Sequence, residues 1–301
     1  MLVRFGKFLV DFMYCEALQQ FSWRQLLGPT ETLAICLQNL ILNAAFAPFT
    51  FLLNAFVLVL LYKFRTLRTN SNLILGSMAC SDAINGLLAQ PLKVTQEILF
   101  LRGIEPYCQL EDANMFIGRT NTLVSLMIVT IINIERYISL KYTLRHRVIV
   151  TSKRLAVALT GACLVPIILN IASSIDALSP YNLYGLVIVP AVSVSTTIYC
   201  FCVMMSISRR HQMKIMADHI ATGLPREQLK FRSVGSLFTI LTTLRLFTYV
   251  LIILSNLFKE RFMMFGPIAV NVALVISFIN PIVYCAKNQS FKQAAKTFLG
   301  I

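Results

Sequence analysis

Seven long stretches of this chain carry almost no charge. Between Glu31 and Lys63 lie 31 uncharged residues, between Arg154 and Asp176 lie 21, between Asp176 and Arg209 lie 32, and between Arg261 and Lys287 lie 25. Three further stretches hold a single charge each: Arg68 to Lys93 with Asp82, Asp112 to Glu135 with Arg119, and Arg232 to Lys259 with Arg245. A helix needs about 20 mostly apolar residues to cross the hydrocarbon core of a bilayer. The spacing therefore predicts seven membrane-crossing helices and an all-α membrane protein. With 57% hydrophobic and 13% charged residues among 301, the chain departs strongly from soluble composition. What remains outside the spans is a short N-terminus, short loops and a tail of about 15 residues.

The net charge of +14 does not read as a nucleic-acid surface, because the basic residues sit between apolar runs and form no continuous face. They sort by side instead. With the N-terminus outside, the inner segments collect seventeen lysines and arginines against two acids, Asp218 and Glu227, besides Glu135. The C-terminus is then cytosolic and the basic excess meets membrane lipids. Asp11 interrupts the early apolar stretch too soon for a cleaved leader, so the first span is expected to serve as its own insertion signal. In the tail, Phe291, Ala294, Ala295 and Phe298 share one side and Lys292 and Lys296 the other, the pattern of a helix lying on the inner leaflet. The eight cysteines show no paired C-x-x-C spacing, so no metal site is expected, and no nucleophile and base constellation marks an enzyme.

Charges inside spans are costly and usually face the bundle interior. Asp82 and Arg245 each lie about 12 residues, or about 18 Å, from the inner ends of their spans. At neighbouring depths stand Asn54, Asn121, Ser125, Ser277 and Asn280, which together can form one polar layer; each also has the plainer option of bonding a neighbouring helix. Glu135-Arg136-Tyr137 ends the third span, where acid and arginine can pair locally and later separate, or simply snorkel. Asn280-Pro281-Ile282-Val283-Tyr284 places a helix-bending proline beside two polar side chains.

Taken together these pieces resemble the rhodopsin-like (class A) family of G-protein-coupled receptors, over about residues 32–299. Asn54, Met78-Ala79-Cys80-Ser81-Asp82, Glu135-Arg136-Tyr137, Pro190, Asn280-Pro281-x-x-Tyr284 and Asn288-Gln289-Ser290-Phe291-Lys292 match its signatures in order. The resemblance implies a seven-transmembrane bundle with a short membrane-parallel eighth helix. It divides the chain into an extracellular N-terminus (1–31), a receptor domain (32–286) and an amphipathic eighth helix with a cytoplasmic tail (287–301). It implies a plasma-membrane receptor that passes an extracellular ligand's signal to a heterotrimeric G protein through movement of span 6. Glu135, Arg136, Tyr137, Tyr199, Asn280, Pro281 and Tyr284 would form the coupling switch. Asp82 with Asn121, Ser125 and Asn280 would hold a sodium ion.

Departures are equally plain. The family's Cys-Trp-x-Pro of span 6 is replaced by Leu244-Arg245-Leu246-Phe247. Arg245 can pair with Asp82 in place of sodium, point outward with Arg119 to anchor an acidic ligand group, or satisfy itself at a backbone carbonyl. Gly118 occupies the family's amine-binding aspartate position and Leu274 the retinal-lysine position, so neither a monoamine nor retinal is expected. Gly118, Arg119 and Arg245 are the ligand-pocket candidates. The loop between spans 4 and 5 lacks the family's cysteine, which leaves Cys15 as the extracellular partner for Cys108, or Cys108 as a free thiol. A receptor-like protein that no longer signals is the competing reading; a transporter is disfavoured by the odd span number and the lack of internal repeats.

Overall fold

The structure, a computed structural model, describes residues 28–104, 107–173, 179–222, 246–251, 254, 265–287 and 289–300. Every regular element among them is helical: α1 (Pro29–Lys63), α2 (Asn70–Ile84), α3 (Gln90–Arg102), α4 (Tyr107–Lys141), the short α5 (His146–Ile149), α6 (Ser152–Ser173), α7 (Ser179–Thr222), α8 (Phe265–Lys287) and α9 (Gln289–Leu299), with a 3₁₀ turn at Arg65–Leu67. Among the described residues, four stretches are long and apolar enough to cross a membrane: Pro29–Lys63, Ala113–Lys141, Ser152–Ala172 and Val187–Arg210. A shorter apolar helix covers Asn271–Val283. Span 6 falls outside the described residues except for 246–251 and 254.

The second apolar stretch behaves differently from the expectation. Lys93 does not end it. The helix continues past Lys93 to Arg102, interrupted by one π turn at Asn85–Ala89 that separates α2 from α3. Pro91 follows the π turn directly, so its missing N–H falls where the backbone hydrogen-bond pattern shifts. Gly103 then closes α3 in the left-handed region at φ 63°, with the Ile104 N–H reaching back to the Leu99 carbonyl at 3.0 Å.

Long helices joined by short connections alternate in direction, so the bundle has two ends. The upper end is where α1, α4 and α8 begin and α3 finishes; the lower end holds Lys63, Lys141 and Lys287. α1 packs on α2, α3 and α8, while α4 packs on α2, α6 and α7. One apolar core joins Ile74, Leu75 and Met78 of α2 to Ile128, Val129 and Ile132 of α4 and Leu155 and Ala162 of α6. A second joins Val57, Leu60 and Leu61 to Leu67, Ala79, and Phe291 and Ala294 of α9. Phe291 is fully buried, and Phe298 lies edge-on to Phe56 at 5.8 Å, so one face of α9 is docked on the lower end of α1.

Candidate functional site

The buried face of α1 is polar where a membrane helix is usually apolar: Asn39, Asn43, Thr50 and Asn54 all point into the bundle. Spacings of four, seven and four residues put them on one stripe. That stripe meets Asp82 of α2 and Ser277 and Asn280 of α8. Asp82, 1% exposed, accepts from the Ser277 hydroxyl at 2.7 Å on one carboxylate oxygen and from the Asn280 amide at 2.8 Å on the other. The Asn54 amide donates to the Thr50 carbonyl at 2.8 Å and to the Ser277 carbonyl at 3.2 Å. Each hydrogen bond contributes about 0.5–1.5 kcal/mol net, so this layer ties α1, α2 and α8 at mid-depth.

The sequence grouped Asn121 and Ser125 with this layer. Ser125 is buried on α4. Asn121 accepts instead from the hydroxyl of Ser81, the residue before Asp82, at 2.7 Å. Pro281 is buried within α8 next to Asn280. Arg245 and Cys15 lie outside the described residues, as do the side chains of Tyr284 and Cys108, so the pairings assigned to them rest on the sequence alone. Gly118 leaves open space where a Cβ would stand, and Arg119 is exposed with its guanidinium donating to the sulfur of Met115 at 3.4 Å.

At the lower end, Glu135 is 5% exposed on α4. One of its oxygens accepts from the Ser71 hydroxyl at 2.7 Å and lies 3.1 Å from Nε2 of His146. Arg136 is held more loosely: its Nε stands 3.8 Å from the other oxygen, and its side chain is 49% exposed. Tyr137 packs its ring 6.2 Å from that of Tyr199 on α7, and its hydroxyl accepts from Lys141 at 2.6 Å. The expected local pair of acid and arginine is therefore present but diluted. Ser71 and His146 were not legible as its competitors, because they lie 64 and 11 residues from Glu135 in the chain.

Sequence reasoning also missed a second polar cluster toward the upper end, made by Asn39, Asn43, Gln90, Lys93, Gln96, Glu97, Asn114 and Asn271. The signal was present. Asn39 and Asn43 interrupt a long uncharged stretch four residues apart, and Lys93 and Glu97 carry opposite charges at the same spacing.

Residues 53–284 match the family described as 7 transmembrane receptor (rhodopsin family). Among curated relatives, the human motilin receptor is 33% identical over 107 residues, 34% of this chain and 24% of that protein. Growth hormone secretagogue receptor type 1 is 29% identical over 150 residues in the rabbit Oryctolagus cuniculus, 48% of this chain and 36% of that protein. The human form is 30% identical over 145 residues, 46% of this chain and 35% of that protein. The chain thus spans about a quarter to a third of the length of these relatives.

Proposed function

The chain belongs to the rhodopsin family of seven-transmembrane receptors, and on that premise we propose that it carries the signal of an extracellular ligand to a heterotrimeric G protein. The upper end then faces outward and the lower end the cytosol, in keeping with the basic excess of the inner segments. α9 lies on the inner leaflet, its docked face toward α1 and Lys292 and Lys296 exposed.

One observation carries this reading. Arg136 is half exposed at the cytosolic end while its neighbour's carboxylate is engaged by Ser71 and His146. A guanidinium in that state is available to a protein partner, and it stays charged at any cellular pH. Leu144, fully exposed between Lys141 and Arg145 beyond the same helix, adds an apolar contact for that partner. Span 6 moving away from α4 would open the space in which the partner meets Arg136.

Sodium fits the Asp82 layer by donor chemistry. A carboxylate with a hydroxyl oxygen beside it suits a hard cation, and Asn280, which here turns its amide nitrogen to Asp82, would flip to bring its oxygen in. Asp82, Ser125, Asn121 and Asn280 would hold it, and it would favour the inactive arrangement. Arg245 on the neighbouring span is the rival cation.

The test is basal G-protein activation in cells, parent beside Arg136→Ala, at matched surface level. Activity in the parent that the variant loses supports the receptor reading. Silence in both, persisting when a G protein is fused to the C-terminus, favours a membrane protein that has kept the fold and lost signalling.

A further inference from the structure

The coupling end and the Asp82 layer leave the upper polar cluster without a role. Glu97 is completely buried, five residues before α3 ends and so about 8 Å from its upper tip. It accepts from the Asn39 amide at 3.0 Å and pairs with the Lys93 ammonium at 2.9 Å. The same ammonium donates to the Gln96 side-chain oxygen at 3.2 Å, which also accepts from the Asn114 amide at 3.0 Å. Asn39 in turn accepts from the Asn271 amide at 2.7 Å. Four helices, α1, α3, α4 and α8, converge on this point.

The cluster is nonetheless incompletely satisfied. The side-chain oxygen of Asn43, both polar atoms of the Gln90 amide and the nitrogen of Gln96 are buried without hydrogen-bond partners. Gln90 stands one turn above Gly86, which is pressed on the α1 backbone at Ala47 and Phe51, and seven residues before Glu97. Gln90 and Glu97 therefore share the face turned to Asn39 and Asn43. A buried ion pair kept for stability alone is a poor use of a membrane bundle, since well-packed apolar residues serve as well or better. A buried charge with unsatisfied acceptors beside it marks a place for a ligand group.

We propose that this cluster is a cradle for a cationic group, occupied in this structure by the chain's own Lys93, and that the ammonium or guanidinium of an extracellular ligand takes its place against Glu97. The proposal rests on the receptor reading above. Lys93 is the partner able to leave, with a side chain 22% exposed against none for Glu97 and a flexible stem that can carry its charge to water. The incoming group gains Glu97 and the Gln96 oxygen, and the unpartnered oxygens of Asn43 and Gln90 lie deeper along the same face. Gly118 leaves α4 without a carboxylate at the family's amine position, and Glu97 supplies one from α3.

The purified full chain in lipid nanodiscs is melted against increasing n-propylguanidinium chloride, with neutral n-propylurea and sodium chloride as controls. The parent is expected to gain melting temperature with the guanidinium and not with the urea. Lys93→Ala, which removes a tethered competitor, is expected to shift the titration midpoint down by roughly tenfold or more, and Glu97→Gln to abolish the effect. If Lys93→Ala is not recovered folded, parent against Glu97→Gln decides alone. No shift in the parent overturns the proposal, as does an equal shift in Glu97→Gln. Binding confined to Lys93→Ala also overturns it, because a group unable to displace Lys93 has no site in the native chain. Melting reads occupancy without a G protein, so a failure of coupling and a failure of the cradle are told apart.

Discussion

Gly86 in the π turn offers a clean test of how tightly α1 is seated. A Cβ there would stand 2.6 Å from the Phe51 nitrogen, 3.0 Å from the Ala47 oxygen and 3.1 Å from the Phe51 Cα. The first of these falls 0.8 Å short of the 3.4 Å at which ordinary contact begins. All three neighbours are backbone, so no rotamer change relieves the overlap and α1 itself must move. Overpacking of this kind costs about 1–3 kcal/mol, and rigid backbone puts it in the upper part of that range. Replacing a helical glycine by alanine returns about 0.8–1.0 kcal/mol. Gly86→Ala is therefore expected to lose about 1–2 kcal/mol, or roughly 2–3 °C in melting temperature at about 2.1 cal/mol/K of unfolding entropy per residue over 301 residues. Gly76→Ala is the matched control. Its Cβ would meet only the Cδ1 of Leu61, at 2.7 Å, and that methyl can swing aside. It should be neutral or slightly stabilising. The assay is thermal unfolding of both variants in the same detergent, with retained monodisperse protein as the readout. Gly86→Ala melting at or above the parent, or Gly76→Ala proving the worse of the two, would refute the argument that α1 is held by backbone contact.

Three other perturbations have expected outcomes. Asp82→Asn sets a side chain with one acceptor against two donors, Ser277 and Asn280; a loss of about 1–3 kcal/mol and of any sodium-dependent stabilisation should follow, measured by melting in sodium against choline chloride. His146→Ala and Ser71→Ala each remove about 1 kcal/mol of competition for Glu135, so the carboxylate turns to Arg136 and basal coupling should fall roughly fivefold, read by nucleotide exchange at equal surface level. Phe291→Ala empties a fully buried site between α9 and α1; a loss of about 3–5 kcal/mol should appear as a sharp drop in surface-exposed protein by flow cytometry.

Much of the architecture was legible because span helices announce themselves by length and lack of charge. The joining of Asp82 to Ser277 and Asn280 was legible too, since similar depth and a shared need for partners inside lipid leave few alternatives. The failures have physical causes. Lys93 was read as an edge because a charge usually marks where a span meets water, yet here it pairs with the fully buried Glu97 one turn later while its own side chain stays partly exposed. The π turn leaves only faint marks in sequence, Asn85-Gly86 and the following Pro91, and no periodicity rule registers it. The engagement of Glu135 by Ser71 and His146 joins elements distant in the chain, and such contacts exist only once the bundle has assembled.

A π turn carries one more residue than the α-helical turn it replaces, so Asn85–Ala89 acts as a phase change between two stretches of one rod. At about 100° per residue, everything above residue 89 is rotated relative to where a straight helix counted from Asp82 would put it. The carboxylate below and the lysine–glutamate pair above are thereby indexed separately, though one continuous backbone carries both. Deleting one residue within the turn should swing Lys93 and Glu97 off α1 while leaving Asp82 in register, and an insertion would do so in the opposite sense. Length variation of a single residue at this point is thus a route by which the upper half of such a bundle can be re-aimed while its lower half keeps its contacts.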